Sequence, residues 1–226
     1  MPATISHATA EHRAEGFRSF VLPAVPHRPV RVCLPIDYQP KYAYPLIVLF
    51  HADGECEEHT ARLVPLLSQR NYVGLCVRGP ISLGPRADGR PAFGWRKGTD
   101  RGVNAALVHT MAQYNIHPDR VFLMGVCEGV AAAYRFALSR RVAGVVALNG
   151  ILPVGAGAND LRLWIGHGTA NPVVSLAEAR SAGARLAAAG ATVRVTRYST
   201  SRRVHADMLR DANRWIMAQV AGKSDE

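Results

Sequence analysis

The chain has 226 residues, 48% of them apolar, enough for one sizeable core and ordinary for a single α/β domain spanning residues 1–226. Its formal net charge of +10 comes almost entirely from arginines scattered along the chain, without a Lys/Arg block of five or more, which argues against a nucleic-acid partner. No apolar run reaches the ~18 residues of a membrane span, and the polar stretch Met1 to Arg18 has no apolar h-region of a secretory signal.

Four widely spaced cysteines, Cys33, Cys56, Cys76 and Cys127, form no C-x-x-C pair. They read as free thiols in a reducing compartment, so the chain is expected in the cytoplasm with no membrane contact. The sequence leaves room for a homodimer.

Strands and helices alternate in the manner of a mostly parallel sheet covered on both faces. Gly16 to Leu22 and Val30 to Pro35 read as early strands, with Pro23, Pro26 and Pro29 marking the turn between them. The continuous apolar run Tyr44 to Phe50 predicts a central buried strand. A helix follows at Glu57 to Gln69, then a strand at Tyr72 to Val77. Residues 79–98 form a Gly/Pro-rich loop too long to be only a connector. Helix is expected over Gly102 to Tyr114, strand over Val121 to Met124 and helix over Val130 to Ser139. Strands at Val142 to Leu148 and Arg162 to Ile165, a helix at Leu176 to Ala189, a strand at Thr192 to Tyr198 and a closing helix at His205 to Val220 complete the pattern. Residues 222–226 read as a disordered tail.

The most informative segment is Gly125-Val126-Cys127-Glu128-Gly129, which joins an apolar strand to an Ala-rich helix. It is the nucleophile-elbow pattern G-x-S-x-G with cysteine in the serine position. A Cβ at either glycine would crowd the strained turn, and the field of the following helix N-terminus favours a thiolate at Cys127. The bland alternative is a buried cysteine on a tight turn. Two further pieces lie in the order expected for such a site. The strand Leu46 to Phe50 ends in His51-Ala52-Asp53-Gly54, and Gly166-His167-Gly168-Thr169-Ala170-Asn171-Pro172-Val173-Val174 precedes Val204-His205-Ala206-Asp207.

These residues strongly resemble the α/β-hydrolase superfamily. The chain is similar to its phospholipase/carboxylesterase branch, which includes acyl-protein thioesterases, and its cysteine is similar to that of dienelactone hydrolases. The resemblance covers about residues 15–220. It implies a central sheet of seven or eight strands with helices on both faces, no lid domain, no cofactor, and a small-molecule ester or thioester substrate. It also implies a triad of Cys127 as nucleophile, His205 as base and Asn171 at the acid position. The backbone N–H groups of Asp53 and Glu128 would then form the oxyanion hole. His51 reads as a structural histidine packed under the turn.

The departures form a pattern. Serine is replaced by Cys127, aspartate by Asn171, and the usual His-Gly by His51-Ala52. The other position open to a triad acid, Asn149, is also an amide, and Asp207 is expected to face away along its helix. A thiol paired with an imidazole needs its third partner mainly to orient the ring, which an amide oxygen can do. Against activity stand the bulk of Ala52 and the charge of Glu128 beside the oxyanion donors. A catalytically silent, ligand-binding protein of the same fold is therefore the alternative, and a thiol sensor is a second one.

His51, Asp53, Glu55, Cys56, Glu58 and His59 crowd one loop without metal-ligand spacing, so no metal is expected. Arg78 and Arg96, with Trp95 as an apolar wall and Arg203 next to His205, are the candidates to bind substrate. An arginine excess there would suit an anionic group. The bland reading of these arginines is a solvated basic loop.

Overall fold

The computed structural model describes residues 17–21, 28–95, 100–153 and 160–222. The edge of the sheet is built first, by β1 (Phe17–Val21) and β2 (Pro29–Cys33), an antiparallel pair. The apolar run predicted as a central strand is β3 (Tyr44–Phe50), buried at every position.

Next come two short helices, α1 (Glu57–Ala61) and α2 (Val64–Leu67), where the sequence predicted one. Pro65 explains the break: it has no N–H to donate, and its ring would strike the carbonyl of Ala61 in a continuous helix. β4 (Val73–Val77) follows. The long Gly/Pro-rich segment then folds into an antiparallel hairpin of β5 (Ile81–Pro85) and β6 (Pro91–Gly94).

The second half runs through α3 (Asp100–Gln113), β7 (Ile116–Val126), α4 (Gly129–Ser139) and β8 (Gly144–Leu148). It ends with β9 (Arg162–Gly168), α5 (Leu176–Ala188), β10 (Thr192–Tyr198) and α6 (Ala206–Val220). Of the tail expected at 222–226, residues 223–226 lie outside the described residues.

The main sheet has eight strands in the order β1-β2-β4-β3-β7-β8-β9-β10. β4, β3, β7, β8, β9 and β10 are parallel to one another, and β2 meets β4 antiparallel. The period-two alternation of a strand divides the buried residues between two cores. Leu46, Val48 and Phe50 of β3 join Leu123 and Val145 against α3, α4 and α5 on one face. Ile47 and Leu49 join Phe122, Met124 and Trp164 against α1, α2 and α6 on the other. Both faces are thus covered, as parallel strands require.

This layering fixes where a site can form. After β3 the chain moves to β4 on one side and later returns to β7 on the other. Open α/β sheets bind ligands in the crevice at such a switch point, outside the carboxyl ends of the strands. Here those ends carry His51-Ala52-Asp53 after β3 and Cys127 after β7.

Candidate active site

Cys127 occupies the turn between β7 and α4 with φ +50°, a left-handed conformation that non-glycine residues adopt rarely. The glycines on either side make this turn sterically possible. A Cβ on Gly125 would stand 2.4 Å from Val130 Cα, and one on Gly129 would stand 2.3 Å from the Phe50 carbonyl oxygen. The backbone is pinned from both sides, since Cys127 N–H donates to Leu148 O at 2.9 Å and Val130 N–H to Cys127 O at 3.1 Å. These are the constraints of a nucleophile elbow.

The turn after β3 faces it. His51 is fully buried. Its Nε2 accepts from Gly79 N–H at 2.9 Å, so its Nδ1 carries the proton and donates to Ala52 O at 2.7 Å. Burial pushes the ring down to about 4, and His51 is a neutral structural residue, as expected. Ala52 takes no positive φ; that conformation falls on Gly54 (φ +82°), so the alanine does not strain the turn. Trp95 locks the loop by donating Nε1–H to His51 O at 2.8 Å and N–H to the Asp53 carboxylate at 3.1 Å.

The thiol, the oxyanion position and one arginine are joined. Asp53 N–H, expected as an oxyanion donor, donates to Glu128 Oε2 at 3.2 Å. The other Glu128 oxygen pairs with the Arg202 guanidinium, whose Nε–H donates to Cys127 Sγ at 3.2 Å. A carboxylate of the chain itself thus occupies the amide expected as an oxyanion donor. Burial pushes the Cys127 thiol above its ordinary range, Arg202 draws it back in part, and Glu128 adds to the rise. The thiolate expected from the helix N-terminus is not the favoured state, because desolvation outweighs the arginine.

His205 and Asn171 lie elsewhere in the hydrogen-bond network. His205 is the N-cap of α6, with Nδ1 accepting from Asp207 N–H at 3.3 Å and 3.3 Å from Asp207 Oδ2. Asp207, expected to face away, is therefore the carboxylate nearest the ring: two residues on, at an N-cap, the first helical turn folds it back. Asn171 accepts from the N–H groups of Val173 and Val174 and donates to Asn149 O at 3.2 Å. The structure does not bring its amide to His205; the loop's own turn uses it. Asn149, buried and at φ +57°, donates to the carbonyls of Arg202 and Arg203 and accepts from Gly168 N–H. Its amide ties together the three loops around the thiol. Cys127 is hydrogen-bonded to Arg202, and neither His205 nor Asn171 is among its partners in this structure.

No family model matches the chain, and no curated protein matches its sequence. Solved structures do. The carboxylesterase of Mesorhizobium loti superposes with a TM-score of 0.66 at 18% identity, over 88% of this chain and 98% of that one. SOBER1 of Arabidopsis thaliana gives 0.66 at 18% identity over 79% of this chain and all of that one. The Bacillus cereus carboxylesterase gives 0.64 at 20% identity, over 80% and 92%. The fold is that of the α/β hydrolases.

In this hydrolase fold a pocket of about 330 Å³ opens at the elbow. Its lining combines polar residues, Cys127, Glu128, Asp53, Asn149, Arg135 and Arg202, with Trp95, Ala131, Ile151, Val173 and Val174. Trp95, expected as an apolar wall, is among the lining residues. The other expected substrate contacts fall differently. Arg78 donates to both oxygens of buried Glu57, at 2.6 and 2.5 Å, and lies 4.5 Å over the Phe93 ring. It is a bolt between α1 and the hairpin, spent on a carboxylate that burial leaves in need of a cation. Arg203 is exposed outside the pocket lining. Arg96 lies outside the described residues. Arg135 was not singled out from the sequence; its signal is the i, i+3, i+7 stripe of Glu128, Ala131 and Arg135 along one face of α4. Among the described residues no group of three or more His, Cys, Asp and Glu could hold a metal ion, and no helix is long and apolar enough to cross a membrane.

Proposed function

We propose that this chain hydrolyses small carboxylic esters or thioesters, with Cys127 as nucleophile and His205 as proton carrier. The observation that carries the reading is the elbow: a cysteine at φ +50°, between two glycines that admit no Cβ, at the mouth of a pocket of about 330 Å³. Nothing in simple packing calls for a strained, pocket-facing thiol.

In this reading His205 takes the thiol proton and Cys127 Sγ attacks the substrate carbonyl carbon. The oxyanion so formed is held by the N–H groups of Asp53 and Glu128. The carbon–oxygen or carbon–sulfur bond then breaks, the leaving group takes its proton from His205, and water releases the acid from the thioester on Cys127. Two contacts of the resting site have to be exchanged first: the Glu128 carboxylate leaves the Asp53 amide, and the His205 ring turns from Asp207 toward Sγ. Asn171, through Asn149, keeps the loops in register, while Asp207 holds the His205 ring in the resting site. No step needs a cofactor.

The same resting contacts favour a second reading, a silent protein that binds a ligand in this pocket without chemistry. Turnover of p-nitrophenyl acetate before and after iodoacetamide treatment separates the two. Hydrolysis abolished by alkylation supports the hydrolase. A well-folded protein that gives no rate above buffer supports the binding protein.

A further inference from the structure

The pocket is electrically lopsided. At the thiol end both carboxylates are engaged: Glu128 with Arg202 and the Asp53 amide, Asp53 with Trp95 N–H. Two turns along α4 from Glu128 stands Arg135, half-buried in the pocket lining, with no carboxylate at ion-pair distance among the described residues. Other described arginines considered for the site are occupied or lie outside its lining. Arg78 is held by Glu57, Arg86 by the Gly54 carbonyl at 2.7 Å, and Arg203 lies outside the lining.

A guanidinium facing a cavity beside apolar walls asks for an anion, and its planar fork fits a carboxylate with two parallel hydrogen bonds. We propose that Arg135 is the specificity-determining residue of this pocket and anchors a carboxylate at the far end of a short acyl group. The proposal rests on the hydrolase reading for the position of the reacting carbonyl.

Geometry sets the length of that acyl group. Positions 128 and 135 are two helical turns apart, roughly 10 Å along the axis. Side chains on a helix lean toward its N-terminus, so the guanidinium reaches back toward the thiol and shortens this span. Ala131, the small residue between them, leaves the path open, while Ile151, Val173 and Val174 offer apolar contact to a few methylenes. A four- or five-carbon dicarboxylic half-ester matches this arrangement; a long unbranched acyl chain would have to bury its tail against the guanidinium.

The test compares mono-p-nitrophenyl glutarate with p-nitrophenyl butyrate in the wild type, Arg135→Ala and Arg135→Lys, with Arg120→Ala at the opposite end of the sheet as control. Glutarate binding by calorimetry is measured on the same proteins. Arg135→Ala is expected to raise KM for the glutarate ester about 10- to 100-fold, the range of one charge-assisted contact. The butyrate ester should change less than about 2-fold, and lysine should restore part of the loss. Equal effects on both esters, or none, would overturn the proposal. A wild type that hydrolyses neither ester contradicts the hydrolase reading alone. The glutarate titration then decides: binding lost in Arg135→Ala upholds the anchor, and binding absent from the wild type or unchanged in the variant overturns it.

Discussion

Cys127 is held between opposed influences. Burial and Glu128 raise the thiol, while the Arg202 hydrogen bond and charge lower it, and the sum is upward. Its alkylation rate by iodoacetamide should therefore rise with pH along a curve centred above the ordinary thiol value of 9.0. Arg202→Ala should move that curve higher and Glu128→Gln lower; mass spectrometry of the labelled peptide gives the rates. A wild-type curve centred below 9.0 would mean that His205 reaches the thiol at rest. Glu128 also covers the Asp53 amide, which the reacting oxygen needs. Removing its charge should help twice, by weakening its hold on the donor and by easing thiol ionisation. Glu128→Gln is predicted to raise kcat/KM for p-nitrophenyl acetate about 3- to 10-fold, against a loss of at most ~1 kcal/mol from the half-exposed pair with Arg202. A drop in kcat/KM would show instead that the carboxylate takes part in turnover.

At the scale of elements, the β7–α4 elbow is the most constrained piece. Gly129→Ala places a Cβ against two backbone carbonyls, that of Phe50 at the end of the central strand and that of His51 just after it, and neither can yield. It should destabilise the fold by more than ~3 kcal/mol in urea unfolding. Gly54→Ala meets no atom within 4 Å and bears only its positive φ, so it should cost ~1 kcal/mol. Equal losses would contradict the packing described for the elbow. The elbow could be read in the sequence because its glycines are spaced by local geometry, and β3 because a doubly covered parallel strand is apolar throughout. The break between α1 and α2 was carried by Pro65 alone. The β5–β6 hairpin was hidden behind the Gly and Pro residues that shape it. Chain order was enough to point to Cys127, Asp53 and Trp95, which line one pocket. The site was not legible where pairing across the fold decides. Nothing local tells that Arg78 belongs to Glu57, that Arg202 rather than His205 touches the thiol, or that Asn171 turns its amide to Asn149.

At the scale of the molecule, one sheet with a core on each face places the catalytic candidates at the carboxyl ends of β3, β7, β8, β9 and β10. The +10 net charge is spread over the chain, yet locally it is answered, as the Arg78–Glu57 and Arg202–Glu128 pairs illustrate. Acid should unfold this arrangement partly through His51. The unfolded ring takes a proton near 6.5, the buried one only near 4, so the unfolded state binds more protons between these values. Stability is full above pH 6.5 and falls as the pH drops toward 4, by about 3 kcal/mol from this residue. Urea midpoints across that range should slope accordingly, and the slope should flatten in His51→Gln; a wild-type profile level from pH 7 to 4 would contradict the buried neutral ring. The central claim, that Cys127 is a nucleophile, is tested most directly by trapping the acyl-enzyme. Protein quenched in acid within the first turnover of p-nitrophenyl acetate should carry one acetyl group on the peptide containing Cys127, and Cys127→Ala should carry none and lose hydrolysis. Hydrolysis that persists in Cys127→Ala, or an unacylated Cys127 during turnover, would contradict it.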